Sequence, residues 1–211
     1  MSGLIIKDFL LIKKSLLFAL FYGTIMLIGF PQAGFIGGVI AVSYLLLSNT
    51  MAWDDKNKCE IMLNSLPVKR QTIVAAKYAT ALLFTLLAFL EFSILTFIIK
   101  AANLPVNTAA INAETTVGTF FAAVLLISLY LPFNFRFGYM KARLLNIVIL
   151  IGAFAIPSLL LAYLPTVHLP FADFLLSLSE GAIIAGIIGT GLLLLVFSVF
   201  ISTKFYADRE F

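Results

Sequence analysis

The sequence predicts an all-α integral membrane protein with six transmembrane helices and both termini in the cytoplasm. Hydrophobic residues fill 62% of its 211 positions and charged residues only 11%, whereas soluble proteins are roughly half apolar and a quarter charged. Six apolar runs have the length of about 20 residues that crosses about 30 Å of hydrocarbon as a helix. All of the 14 Lys and Arg residues except Lys100 fall in segments that this topology places on one side of the membrane.

The six apolar runs give the span boundaries. The predicted spans lie at about 15–31, 33–53, 78–99, 116–135, 144–164 and 181–203. Cytoplasmic loops keep Lys and Arg because these residues resist translocation, which fixes the orientation. Backbone polar groups in hydrocarbon must be satisfied internally, and the runs are too long for barrel strands, so we expect one helical bundle over residues 1–211. The first run follows basic residues, as in a signal peptide, but no small-residue cleavage site follows it, and we expect it to be retained.

A separate helix is predicted before the first span. Apolar residues recur there at helical spacing: Ile5, Phe9, Ile12 and Leu16. Lys7 and Lys14 fall on another face, a pattern typical of a helix lying in the cytoplasmic interface. The alternative is that the first span starts early and its lysines reach back to the headgroups.

The charged segment after the second span predicts a cytoplasmic helix over 54–66. Asp54 and Asp55 suit its start, and Pro67 stops it before a further helix that starts near Lys69 and continues into the third span. Its acidic and apolar side chains form a candidate docking surface for a partner protein: Asp54, Asp55, Glu60, Met62, Leu63 and Leu66. The alternative is a plain solvated linker.

The two longer external segments differ in character. The segment from Lys100 to Thr116 is small and polar and reads as an ordinary loop. The segment 165–180 is too short to span and too apolar for free solvent, which predicts a re-entrant or interfacial helix.

Small residues are closely spaced in two of the predicted spans. Gly34 and Gly38 lie four apart in the second span, and the pairs Ala182/Gly186 and Ala185/Gly189 lie in the sixth. Such spacing lets helix backbones approach closely, either within one chain or between subunits.

Few residues suggest chemistry. Glu91 is placed well inside a span, where a carboxylate is costly unless it is paired, protonated or facing water, so it is a candidate substrate-pathway residue. The alternative is a neutral Glu91 hydrogen-bonded to a neighbouring helix. His168 and Cys59 are single, so we expect no metal site, no internal disulfide and no catalytic cluster. The chain has no P-loop for a nucleotide. The net charge of +4 reflects topology, and no nucleic-acid partner is expected.

Two stretches carry a resemblance to a known family. They are Leu4-Ile5-Ile6-Lys7-Asp8-Phe9-Leu10 and the region that holds Asp55-Lys56-Asn57-Lys58, Glu60, Leu63, Ser65-Leu66-Pro67-Val68-Lys69-Arg70 and Ile73-Val74-x-Ala76-Lys77-Tyr78. They resemble the small ABC-2 type permeases of bacterial ABC exporters, and most of all the permease subunits of the phenol-soluble modulin exporter of Gram-positive bacteria. The resemblance implies a six-helix permease that pairs with a second permease copy or paralogue and with ATPase subunits. It also implies coupling helices that dock into the ATPases, which bind ATP and Mg²⁺, and re-entrant helices between spans five and six.

The sequence therefore predicts a non-enzymatic, multi-pass permease of the bacterial cytoplasmic membrane that moves amphipathic or antimicrobial peptides, or lipid-like molecules, outward. One alternative is an integral membrane enzyme acting on lipid or peptide, with Glu91 or His168 as its base. Another is a membrane sensor or scaffold that binds no ATPase.

Overall fold

The computed structural model describes residues 2–30, 34–65, 67–103, 111–142, 144–145, 147–149, 151–152 and 179–209. Within these ranges the regular structure is helical and no strand occurs. The helices are α1 Ser2–Leu11, α2 Lys13–Gly29, α3 Gly34–Lys56, α4 Cys59–Ser65, α5 Arg70–Ala101, α6 Ala113–Phe137 and α7 Glu180–Ala207.

Four helices, α3, α5, α6 and α7, are long and apolar enough to cross a membrane. They confirm the predicted helices at 33–53, 78–99, 116–135 and 181–203 to within a few residues, apart from the N-terminal extension of α5. The predicted first span corresponds to α2, which is bent by 65° from α1, and the two together would make a fifth crossing. Most of the predicted span 144–164 and of the segment 165–180 lies outside the described residues, so the count of six spans stays a prediction.

The core of the bundle is formed around α3 and α5. Helix α3 packs against α2, α5 and α6, and α5 also contacts α1 and α7, while α6 and α7 lie side by side. Gly38 of α3 is in close contact with the buried ring of Phe92 of α5, and Gly34 faces the backbone of Met26 of α2. This pair of glycines therefore serves packing within the chain.

The boundary prediction at Asp54 is wrong. Helix α3 continues through Lys56 instead of ending before Asp54, and the chain then turns at Lys58, which has a φ of 50°. A shorter helix, α4, follows at Cys59–Ser65. The helix predicted to start near Lys69 begins at Arg70.

Several helix ends meet at one end of the bundle. An Arg70 guanidinium nitrogen at the start of α5 donates hydrogen bonds to the carbonyls of Tyr206 (3.2 Å) and Ala207 (2.6 Å) at the end of α7. Arg209, just past α7, donates to the carbonyl of Phe135 near the end of α6 at 3.5 Å. We call this the charged end of the bundle, formed by the last residues of α3, α6 and α7 and the first residues of α5. The charge pattern predicts that this end faces the cytoplasm.

Candidate functional site

Four charged side chains from three helices meet at the charged end, and we call them the charge cluster: Lys7 and Asp8 of α1, Asp54 of α3 and Lys77 of α5. The Lys77 Nζ atom lies 2.7 Å from Oδ2 of Asp54 and 3.1 Å from both carboxylate oxygens of Asp8. The Lys7 Nζ atom lies 2.6 Å from Oδ1 of Asp54 and 3.4 Å from Oδ1 of Asp8. Each ammonium group therefore contacts both carboxylates, and the cluster is neutral.

The charge cluster is largely removed from solvent. Asp8, Asp54 and Lys77 keep only 3%, 8% and 7% of their surface exposed, whereas Lys7 is half-buried. Burying an ion costs several kcal/mol, which is offset only where opposite charges pair with good geometry. Moving α3 or α5 away would leave an unpaired buried charge, and moving α1 away would remove Lys7 from Asp54 and Asp8 from Lys77. The cluster therefore holds α1, the end of α3 and the start of α5 in one arrangement.

Helix α4 lies in the chain between two members of the charge cluster, Asp54 and Lys77. Its Leu63 is 7% exposed and belongs to the same apolar core as Ile73 of α5. The adjacent Ile61 and Met62 are each 56% exposed. Helix α4 thus has one side chain anchored in the bundle and two large apolar side chains directed away from it.

Cys59 begins α4 and lies next to the charge cluster. It lines the same small cavity as Asp54 and Lys77. Partial burial, followed by the negative charge of Asp54, raises the pKa of the Cys59 thiol above its ordinary value. The thiol is therefore a poorer nucleophile near neutral pH than a fully exposed cysteine.

The structure distinguishes among the six residues predicted to dock a partner. They are the exposed Met62, the half-buried Asp55, the buried Asp54 and Leu63, and Glu60 and Leu66, whose side chains lie outside the described part of the chain. Asp54 is engaged in the charge cluster and Leu63 in the core, so neither side chain is presented outward. The docking role of the segment stays a prediction.

Sequence reasoning missed most of the charge cluster. It treated Lys7 and Lys77 as markers of orientation and gave Asp8 no role. One signal was present, because Lys77 is surrounded by the apolar residues Ala76 and Tyr78 inside a helical run. A lysine in such a run requires an anionic partner if it is buried.

Glu91 lies on α5 against α2. Its Oε1 atom is buried and has no hydrogen-bond partner among the described residues. Gly23 of α2 leaves room for the carboxylate, since a Cβ atom added there would lie 2.7 Å from Oε1. The predicted alternative, a neutral Glu91 hydrogen-bonded to a neighbouring helix, therefore finds no partner for this oxygen in the described part of the chain.

A groove lined by both polar and apolar side chains lies along α2 and α3, and we call it the polar groove. Its volume is about 550 Å³, and its lining combines Ser15, Ser48, Asn49 and Tyr139 with apolar residues that include Phe18, Leu45 and Trp53. The Asn49 amide donates a hydrogen bond to the Ser15 hydroxyl, and the hydroxyls of Ser48 and Tyr139 are 3.3 Å apart. The groove therefore offers paired polar groups next to large apolar side chains.

The polar groove and Glu91 share one face of α2. Ser15, Ala19 and Gly23 are spaced four residues apart, so they lie on one side of the helix. Ser15 and Ala19 line the groove, and Gly23 faces Glu91. The distance along the helix axis from Ser15 to Gly23 is about 12 Å at 1.5 Å per residue. The polar groove and Glu91 therefore lie against the same side of α2, about two turns apart.

Of the two residues considered for catalysis, Glu91 and His168, the structure describes only Glu91. No group of three or more His, Cys, Asp and Glu side chains that could hold a metal ion occurs within the described ranges. His168 lies outside those ranges, and its role stays a prediction.

The sequence model of one protein family, described as "ABC-2 family transporter protein", matches residues 3–207. The match covers nearly the whole of the 211 residues. No curated protein matches the chain. No solved structure matches it either.

Proposed function

We propose, because this chain belongs to the ABC-2 transporter family, that it is the permease subunit of a bacterial ABC exporter in the plasma membrane. In this proposal separate ATPase subunits bind ATP and Mg²⁺, and a second permease copy or paralogue completes the transport path. The likeness of the first part of the chain to the permeases of the phenol-soluble modulin exporter supports an amphipathic peptide or lipid-like substrate.

The observation that carries the proposal is the two-sided arrangement of α4. Ile61 and Met62 present apolar surface away from the bundle, whereas Leu63 is fixed in the core. Exposed apolar side chains next to charged residues are typical of a protein contact surface. Helix α4 is therefore suited to receive force from an ATPase subunit and to pass it into the bundle through Leu63.

The charge cluster determines where that force goes. Asp54 precedes α4 and Lys77 follows it, and the 2.7 Å contact between them ties α3 to α5. A push on α4 therefore tilts α3 and α5 as one unit instead of separating them. Helix α1 follows, because Lys7 and Asp8 bind the same two side chains.

The polar groove and Glu91 form the proposed substrate face. Polar side chains within a span usually pair with one another or face a water-filled cavity, so this face is suited to the cavity between two permeases. An amphipathic substrate fits a groove lined by hydroxyl and amide groups together with Phe18 and Trp53. Glu91 of α5, which faces α2 about two turns beyond Ser15, supplies a carboxylate for a cationic group of the substrate.

The docking step is tested with one added negative charge at each of two exposed positions. Met62→Glu places the charge on the outward side of α4, and Gln71→Glu places it on the exposed start of α5. The native ATPase should be lost from the purified Met62→Glu complex and retained with Gln71→Glu. Equal ATPase retention by both variants would show that α4 is a linker.

The substrate step is tested with Glu91→Gln, which keeps shape and hydrogen-bonding capacity but removes the ionisable proton. Export of a cationic amphipathic peptide from intact cells should fall, with little change in thermal stability. The matched control is Glu114→Gln at the exposed start of α6. Normal export by Glu91→Gln, together with marked destabilisation by Glu91→Leu, would assign Glu91 to packing.

A further inference from the structure

A second charged pocket lies at the charged end and shares no residue with the charge cluster. We call it the basic pocket. Its volume is about 370 Å³, and its lining includes Asp55, Arg136, Gly138, Met140, Lys141 and Arg209. Three cations face one carboxylate, so the lining carries two net positive charges. Among the described residues, neither Arg136 nor Lys141 has a carboxylate within 4 Å.

The basic pocket is built by the fold. The Arg136 guanidinium lies over the rings of Phe137 and Phe205, 5.2 and 4.8 Å from their centroids, which fixes its direction. Gly138 ends α6 with a φ of 74°, a left-handed conformation that favours glycine. A Cβ atom at Gly138 would lie 2.7 Å from an Arg209 guanidinium nitrogen, so the glycine leaves room for that side chain.

The position of the basic pocket matches the headgroup layer of a membrane. Arg136 is the next-to-last residue of α6, Asp55 that of α3, and Arg209 lies two residues past α7. With 25 and 28 residues, α6 and α7 are about 38 and 42 Å long at 1.5 Å per residue. They exceed the hydrocarbon thickness of about 30 Å, so their ends reach the headgroups.

We propose that the basic pocket binds the phosphate of an anionic phospholipid of the cytoplasmic leaflet. Arg136 and Lys141 contact the phosphate, since basic pockets between membrane helices on this side suit lipid headgroups. Phe137 and Met140, which are 40% and 67% exposed, contact the acyl chains, and free inorganic phosphate would gain nothing from them.

Asp55 limits which lipid headgroups the basic pocket favours. A carboxylate repels a second phosphate charge but accepts hydrogen bonds from hydroxyl groups. The pocket therefore favours phosphatidylglycerol, whose glycerol hydroxyls reach Asp55, over phosphatidic acid, which has no such group. This choice follows from one acidic side chain among three cations.

The test measures phosphatidylglycerol binding to the full purified chain by native mass spectrometry during a lipid titration. Each cation near a membrane surface contributes about fivefold to the affinity. Lys141→Gln should therefore weaken binding about fivefold, and Arg136→Gln with Lys141→Gln about 25-fold. Lys141 makes no ion pair or hydrogen bond in the described part of the chain, so the single variant is informative even if the double variant folds poorly.

The matched control removes two other charges from the same end of the bundle. Lys56→Gln with Lys58→Gln changes two exposed lysines and should alter binding less than twofold, because neither side chain lines the pocket. Equal weakening of lipid binding in the pocket and control variants would show that only the general surface charge matters, and it would overturn the proposal. Wild-type affinity of Lys141→Gln would overturn it as well.

Two further measurements separate the ligand sources. Millimolar inorganic phosphate should not displace phosphatidylglycerol, and displacement that depends on Arg136 and Lys141 would assign the pocket to a free anion instead. Asp55→Asn should reduce the preference for phosphatidylglycerol over phosphatidic acid. An unchanged preference would overturn the headgroup assignment.

Discussion

Replacing Lys77 with methionine removes one ammonium group from the charge cluster while keeping most of the alkyl stem. The carboxylates of Asp8 and Asp54, 3% and 8% exposed, then share Lys7 alone, and the buried charge changes from zero to minus one. Breaking a buried ion pair by removing one partner costs about 3–5 kcal/mol. For a chain of 150–250 residues about 1 kcal/mol corresponds to about 2–4 °C in Tm, so Lys77→Met should lower Tm by about 6–20 °C.

A second substitution restores neutrality and tests the electrostatic reasoning. Asp8→Asn with Lys77→Met leaves one ammonium and one carboxylate, Lys7 and Asp54, which are 2.6 Å apart. The combined loss of Tm should be smaller than the sum of the two single losses by about 1–12 °C, which corresponds to about 0.5–3 kcal/mol for residues in contact.

Thermal unfolding in one detergent at one scan rate measures all three variants, because unfolding of such proteins is commonly irreversible. Lys204→Met makes the same chemical change at an exposed position of α7 and should shift Tm by no more than about 2 °C. Strict additivity of the Asp8 and Lys77 losses would refute the view that the cluster acts as one charged unit.

Three further predictions concern single positions. Lys58→Gly should stabilise the chain by about 1 kcal/mol, measured as Tm, because the φ of 50° is strained for lysine and not for glycine; an unchanged Tm would contradict this. Gly38→Ala should lower Tm by about 2–12 °C through a clash with the buried Phe92 ring, because overpacking costs about 1–3 kcal/mol. An unchanged Tm would show that α3 and α5 can move apart at this position. The rate of iodoacetamide alkylation at Cys59 should reach its midpoint at a higher pH than at an exposed control cysteine, because the pKa of Cys59 is raised. The control cysteine replaces the exposed Asn57 in a Cys59→Ser chain. A Cys59 midpoint equal to or below that of the control would contradict the raised pKa.

The span helices could be predicted because hydrophobic length is a local property of the chain. Each of α3, α5, α6 and α7 contains its own apolar run, so no distant residue was needed to find it. The docking surface was harder, since Met62 and Leu63 are adjacent and both apolar. Only the packing of the seven-residue α4 decides which one enters the core.

The end of α3 shows why the local rule failed at Asp54. Aspartate favours helix N-termini, where it accepts backbone hydrogen bonds and complements the helix dipole. In the structure Asp54 lies near the C-terminal end of α3, where the dipole disfavours a carboxylate. Lys7 and Lys77 offset this cost, and both are distant in sequence, by 47 and 23 positions.

Glu91 could be predicted as a candidate residue from its depth in an apolar run, but the residues around it could not be predicted from the sequence. The gap that accommodates its carboxylate exists because Gly23 of α2 has no side chain. Nothing near Glu91 in the sequence identifies α2 as the neighbouring helix.

The two sets of contacts at the charged end become possible at different moments of biosynthesis. Lys77 is the last residue of the charge cluster in the sequence. Because chains fold from the N-terminus during synthesis, the cluster can assemble while the ribosome is still making the later helices. The hydrogen bonds from Arg70 to the carbonyls of Tyr206 and Ala207 span 136 and 137 positions, and they must wait until α7 has been made and inserted. A nascent chain can therefore hold its N-terminal helices in native order before its last helix arrives to close the bundle.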